Sequence, residues 1–86
     1  MIYVYVLQGL QGKRYVGITN NLERRLKEHG SGNTKGGQVI GDFQLLHTEQ
    51  FEDYPSARNR EKYLKSGVGR AWLERRYPRT GSASGG

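Results

Sequence analysis

Residues Ile2 to Leu7 alternate β-branched and aromatic side chains with the period of a strand. Gln8-Gly9-Leu10-Gln11-Gly12 interrupts the run, and Lys13 to Ile18 resumes it, so the first 18 residues predict a β-hairpin. Leu7 opposite Lys13 sets Tyr5 opposite Tyr15 and Tyr3 opposite Gly17, with both tyrosines on one face of the sheet. A slip of one residue would separate them. Asn20 is placed as an N-cap with Glu23 three residues on, predicting a helix from Asn21 to His29 that Gly30 ends. Leu22, Arg25, Leu26 and His29 then form one stripe.

A glycine-rich loop follows from Gly30 to Gly41, and Asp42 to Gln50 recovers the strand pattern through Phe43, Leu45, Leu46 and His47. Asp53 is an N-cap candidate before Tyr54 and Pro55, with a helix running to Lys65. Tyr54, Ala57, Glu61 and Leu64 share its apolar stripe. Ser66-Gly67-Val68-Gly69 predicts a break. A short last helix over Arg70 to Arg76 is anchored by Trp72 and Leu73. The order strand, strand, helix, strand, helix, helix predicts an α+β fold: a three-stranded, mostly antiparallel sheet flanked by three helices.

With 86 residues the chain predicts one domain, taken as residues 1–79, with a low-complexity, disordered tail at 80–86. It has no cysteine, so neither a disulfide framework nor a thiolate metal cluster supports it. No apolar run approaches the roughly 18 residues of a membrane span, and the first residues lack a leader's basic start, so a cytoplasmic address is expected. Lys and Arg number 14 against 8 Asp and Glu, a net charge of +6. That excess suggests a polyanionic partner such as nucleic acid, with a solvated basic surface that merely aids solubility as the alternative.

The glycine-rich loop does not end in Gly-Lys-Ser/Thr and is not a phosphate-binding P-loop. His29 and His47 lack the spacing and companions of a zinc site, and His47 is expected to fill a strand position. Glu61 stands out because it lies on an apolar stripe, where an unpaired carboxylate is costly. It needs a cation, a base or a metal. Arg25 offers a permanently charged, forked donor suited to phosphate. Tyrosine and histidine can move protons where their surroundings permit. Together these types meet the needs of phosphodiester hydrolysis: an activated water, neutralised phosphoryl charge and help for the leaving oxygen. Each also has a plainer role. Tyr5 and Tyr15 suit a cross-strand pair, Gly17 a close contact, Arg25 a snorkelling cover for leucines, His29 a helix cap, and Glu61 a buried pair with Arg25.

The ordered set resembles the GIY-YIG nuclease superfamily, in particular its small stand-alone bacterial members, from about Tyr3 to Arg76. Tyr3-Val4-Tyr5 stands at the first motif and Tyr15-Val16-Gly17 at the second. The segment from Asn21 to His29 resembles the first helix with its arginine at Arg25 and histidine at His29. Arg60-Glu61-Lys62-Tyr63-Leu64-Lys65 resembles the helix of the metal-binding glutamate. The resemblance implies hydrolysis of DNA, more than RNA, branched or damaged forms included, and Mg²⁺ or Mn²⁺ held by Glu61. It further implies Tyr5 as general base, Arg25 on the phosphoryl group, and Tyr15 and His29 orienting water or phosphate. The first motif's glycine is Tyr3 here, and no asparagine follows Asn59. Without a separate DNA-binding domain, specificity would come from this surface or from a protein partner. Lys35, Arg70, Arg75, Arg76 and Arg79 are candidate nucleic-acid contacts. The rival expectation is a binding module of the same fold with little turnover.

Overall fold

The computed structural model describes residues 1–9, 12–30 and 43–78. Three strands, β1 (Ile2–Gly9), β2 (Arg14–Thr19) and β3 (Phe43–Phe51), alternate with helices α1 (Leu22–Gly30), α2 (Tyr54–Lys65) and α3 (Gly67–Arg76) in the predicted order. The sheet is antiparallel throughout, with β1 central in the order β2-β1-β3. This is the expected α+β class. The loop at 31–41 and the tail at 80–86 lie outside the described residues.

The hairpin register differs from expectation by two residues: Leu7 pairs with Tyr15, Tyr5 with Gly17 and Tyr3 with Thr19. β1 continues to Gly9, where the hairpin closes by Gly9 N–H donating to the Lys13 carbonyl at 2.9 Å. Packing explains the pairing. A Cβ on residue 17 would lie 2.5 Å from the Tyr5 hydroxyl and 2.7 Å from its Cζ. Tyr5 therefore opposes the one β2 residue with no side chain. Because the side-chain period is two, Tyr5 and Tyr15 still share a face.

Helix starts follow the side-chain oxygens. The Asn21 Oδ1 accepts from Arg24 N–H at 3.0 Å, and Thr19 Oγ1 accepts from Asn21 N–H at 3.1 Å, so the cap is Asn21 and not Asn20. Asp53 caps α2 as expected, accepting from Ser56 N–H at 2.8 Å. The predicted break is confined to Ser66. Its N–H donates to the Tyr63 carbonyl, and its hydroxyl accepts from Gly69 N–H at 3.2 Å, ending α2 and starting α3. Gly67-Val68-Gly69 is thus the first turn of α3. Any side chain on Gly69 would overlap the Tyr63 carbonyl, so α3 begins directly against the end of α2.

Ile2, Val4 and Val6 face Val16, Ala57, Leu64 and Leu73 in the core, with Ile18, Leu46, Phe51, Tyr63, Trp72 and Tyr77 packed around them. The other face of β1 carries Tyr5 and Leu7, both fully buried. His47 is more than a strand filler. Its Nδ1 meets the Tyr77 hydroxyl at 2.7 Å and its Nε2 meets Glu49 at 2.7 Å. Arg60 grips the same carboxylate with two bonds, of 2.9 and 3.1 Å, and lies over the rings of Tyr63 and Trp72. Burial alone would raise the Glu49 carboxyl, but bonds from Arg60 and His47 prevail and hold it below its ordinary value. This cluster ties α2 and α3 to β3. Among the described residues no helix is long and apolar enough to cross a membrane.

Leu64→Ala should lower unfolding free energy by about 2–5 kcal/mol. Val68→Ala, on the exposed first turn of α3, should change it by no more than about 0.5 kcal/mol. Urea titrations followed by circular dichroism test the contrast, and equal effects would contradict this core.

Candidate active site

β2 is an edge strand, and α1 and α2 approach it from different segments of the chain. The space they leave is a hollow of about 380 Å³. Tyr15, Gly17 and Ile18 of β2 line it, with Arg25 from α1 and Arg58, Glu61, Lys62 and Lys65 from α2. Three of the five residues singled out for catalysis, Tyr15, Arg25 and Glu61, therefore share one cavity.

Tyr5 and His29 stand behind that wall. His29 is 1% exposed, and its Nε2 lies 3.0 Å from the Tyr5 hydroxyl. Arg25 donates through Nε to the same hydroxyl at 3.3 Å and through Nη1 to Glu28 at 3.1 Å. The helical stripe places Arg25 and His29 four residues apart on α1, so both reach one phenol. The Tyr15 ring meets His29 nearly edge-on, with centroids 5.0 Å apart, and lies 6.2 Å from the Tyr5 ring.

Burial pushes the Tyr5 phenol above its ordinary pKa, and the Arg25 bond only partly offsets this. Burial also pushes His29 down, the Arg25 charge adds to the fall, and Glu28 opposes it. The imidazole is therefore neutral near pH 7, and the protonated phenol can donate to Nε2. Arg25 is held charged most strongly by its bond to Tyr5.

Glu61 is half-buried and pairs with Lys65 at 3.0 Å and Arg58 at 3.6 Å, not with Arg25. Both cations lie one helical turn away, at i+4 and i−3, so the pairing was readable from their spacing. Lys62 and Lys65 on the wall, and Glu28 holding Arg25, also escaped the sequence reading. Arg70 lines a neighbouring groove beyond Tyr15 and Lys65. Arg75 and Arg76 are exposed and line neither cavity; Arg76 rests over the Tyr77 ring. Lys35 and Arg79 lie outside the described residues.

Among the described residues no three His, Cys, Asp or Glu side chains gather as a metal cage. Among the described residues Glu61 is the one carboxylate on the wall of the hollow. A single hard oxygen ligand fits Mg²⁺ or Mn²⁺, which retain water and share their remaining positions with substrate phosphate. It does not fit a four-ligand zinc centre.

Because His29 is buried neutral, the unfolded chain takes up the imidazole proton first as pH falls below about 6.5. Stability should therefore drop with falling pH until the lower folded pKa is reached, with a slope of at most about 1.4 kcal/mol per unit. Denaturant titrations from pH 7 to 5 should show this slope, and His29→Gln should flatten it. Gly17→Ala should cost about 1–3 kcal/mol by overpacking Tyr5. A Gly17→Ala protein as stable as the wild type would contradict the close contact.

The GIY-YIG catalytic domain model matches residues 1–75. The UPF0213 protein CPE1444 of Clostridium perfringens is 41% identical over 66 residues, covering 76% of this chain and 71% of that protein. The UPF0213 protein NP_0776A of Natronomonas pharaonis is 40% identical over 77 residues, covering 85% and 86%. The solution NMR structure of the UPF0213 protein BH0048 from Bacillus halodurans matches with a TM-score of 0.55 at 32% identity, covering 90% of this chain and 86% of that one. The three-stranded sheet with its helices is thus the catalytic-domain fold of a nuclease-like family, and this chain belongs to the GIY-YIG family alongside the UPF0213 proteins.

Proposed function

We propose that this chain is a divalent-metal-dependent endonuclease that hydrolyses phosphodiester bonds in DNA, branched or damaged forms in particular. The observation that carries the reading is the shared hollow: a carboxylate, a guanidinium and a phenol from three elements face one space. The net charge of +6 favours the polyanionic substrate.

Bound Mg²⁺ or Mn²⁺ supplies Lewis-acid neutralisation of the phosphoryl oxygens and a more acidic water, and Glu61 is the residue that would hold it. Arg25 binds the phosphoryl group. Its Nε is committed to Tyr5 and its Nη1 to Glu28, which fixes the fork and leaves Nη2 for phosphate. Lys65 and Arg58 neutralise Glu61 before substrate arrives and lie on the same side as the incoming charge.

The two tyrosines divide their work. The resemblance alone makes Tyr5 the general base, but its hydroxyl is fully buried and its pKa is raised. We assign contact with the reacting water to Tyr15, which lines the hollow. Tyr5 is a positioning residue: it donates to neutral His29 and accepts from Arg25, holding the guanidinium in place. The rival, a module that binds nucleic acid without turnover, draws on one observation. Glu61 is already neutralised by two cations, so the site is electrostatically complete without a metal.

Labelled linear, flapped and branched DNA, incubated with the protein and Mg²⁺ or Mn²⁺, decides between them. Cleavage should vanish with chelator and with Glu61→Gln. Arg25→Lys should lose about 10²–10³-fold, the range for one transition-state donor. Tyr15→Phe should lose about 10²-fold or more, and Tyr5→Phe distinctly less. Unchanged cutting by a folded Glu61→Gln protein would sink the metal assignment. Binding without cutting would establish the rival, and a larger loss in Tyr5→Phe than in Tyr15→Phe would reverse the tyrosine assignment.

A further inference from the structure

The hollow at the β2 edge adjoins a second cavity. Tyr15 and Lys65 line the hollow and also line this second groove, of about 760 Å³, between β2, the end of α2 and α3. Ala71 and the Tyr15 ring give this groove its accessible apolar surface, with the nearly buried Val16, Leu64 and Leu73 beneath it. Arg14 belongs to its wall, but its guanidinium is engaged with Gln8, the Tyr77 carbonyl and Glu74. Glu74, the carboxylate lining the groove, is therefore balanced by Arg14. Lys13 and Arg70 are different. Both are exposed on the groove and make no ion pair among the described residues. With Lys65 at the junction, cationic side chains accompany an apolar surface out of the catalytic hollow.

We propose that this groove holds an unpaired segment of the nucleic-acid strand whose phosphodiester occupies the catalytic hollow. The proposal rests on the nucleic-acid reading above and adds where the strand goes. Lys13 and Arg70 contact its phosphates, and the apolar lining receives sugar and base. A duplex is the wrong shape of chemistry for this groove, because its base faces are buried in its own stack and it offers mainly charged backbone outward. An unpaired strand offers both the charge and the flat apolar faces. The wall that both cavities share at Tyr15 and Lys65 favours one molecule lying across both over a separate peptide partner. A strand that leaves its duplex at the cut, as at a flap or branch, would meet both features.

Fluorescence anisotropy of labelled oligothymidine tests this, beside a hairpin duplex with as many phosphates, both with EDTA present. The double variant Lys13→Gln/Arg70→Gln should weaken single-strand binding about five- to tenfold at low salt. It should reduce the slope of log K against log[salt] by about 1.4, roughly 0.7 for each of two phosphates. Duplex binding should change less than twofold, and Arg24→Gln/Lys27→Gln, two exposed cations of α1 that line neither cavity, should weaken single-strand binding less than twofold. Equal losses on duplex and single strand, or an unchanged slope, overturn the proposal. So does a hexaglutamate peptide that loses its affinity for the double variant while oligothymidine does not. Wild-type protein that binds neither DNA form at low salt overturns the nucleic-acid reading itself, a result distinct from retained binding that ignores Lys13 and Arg70.

Discussion

A hydroxyl buried on the central strand of a sheet must find partners, and the Tyr5 hydroxyl finds His29 and Arg25 on α1. That requirement fixes how the helix lies. His29 must be inside, so the stripe with Leu22, Arg25 and Leu26 turns inward too. Arg25 can then reach the hydroxyl with Nε while its other nitrogens stay near the β2 edge. Gly17 is the other half of the same constraint, since only a residue without a side chain leaves room for the phenol. The family's hallmark tyrosine and glycine are therefore a packing pair first, and the geometry of the site follows from it.

The edge position of β2 explains why the hollow is where it is. A central strand has neighbours on both sides, whereas β2 has β1 on one side and an open rim on the other. α1, held by Tyr5, and α2, packed on the core through Ala57 and Leu64, can both present side chains at that rim. Arg25 and Glu61 meet the same hollow without bonding each other. Each is steadied by residues of its own helix: Arg25 by Glu28, Glu61 by Arg58 and Lys65. A direct pair between them would have bridged the hollow that they line.

Much of this was legible in the sequence because it follows from short-range rules. Element order came from periodicity, and Asp53 declared itself as a cap. The shared face of Tyr5 and Tyr15 survived the register shift because an error of two residues preserves facing. What failed was set by tertiary contact. The register answers to the space over Gly17, which no alternation pattern encodes. Ser66-Gly67-Val68-Gly69 reads as a breaker by propensity, yet three of its residues begin α3, because Gly69 lets that helix abut α2. One miss was local instead: the partner of Glu61 was sought on another helix, although Arg58 and Lys65 lay within one turn of it. The burial of Tyr5, which keeps it out of the hollow that Tyr15 lines, depends on α1 docking and has no local signature.

The structure also contains a control for its own site. His47, Glu49, Arg60 and Tyr77 at the β3 side repeat the residue types found in the β2 hollow and behind its wall: a histidine, a carboxylate, a guanidinium and a phenol. There the groups satisfy one another. Arg60 spends two bonds on Glu49, and both nitrogens of His47 are engaged. Such a network fastens helices to the sheet and has little to offer a ligand. At the β2 edge the same chemistry is spread around a cavity, with an arginine fork that is not fully spent and a carboxylate held only by exposed cations. Composition cannot tell these clusters apart. The difference is geometric: one closes on itself, and the other is arranged around a space that matches a phosphate in charge.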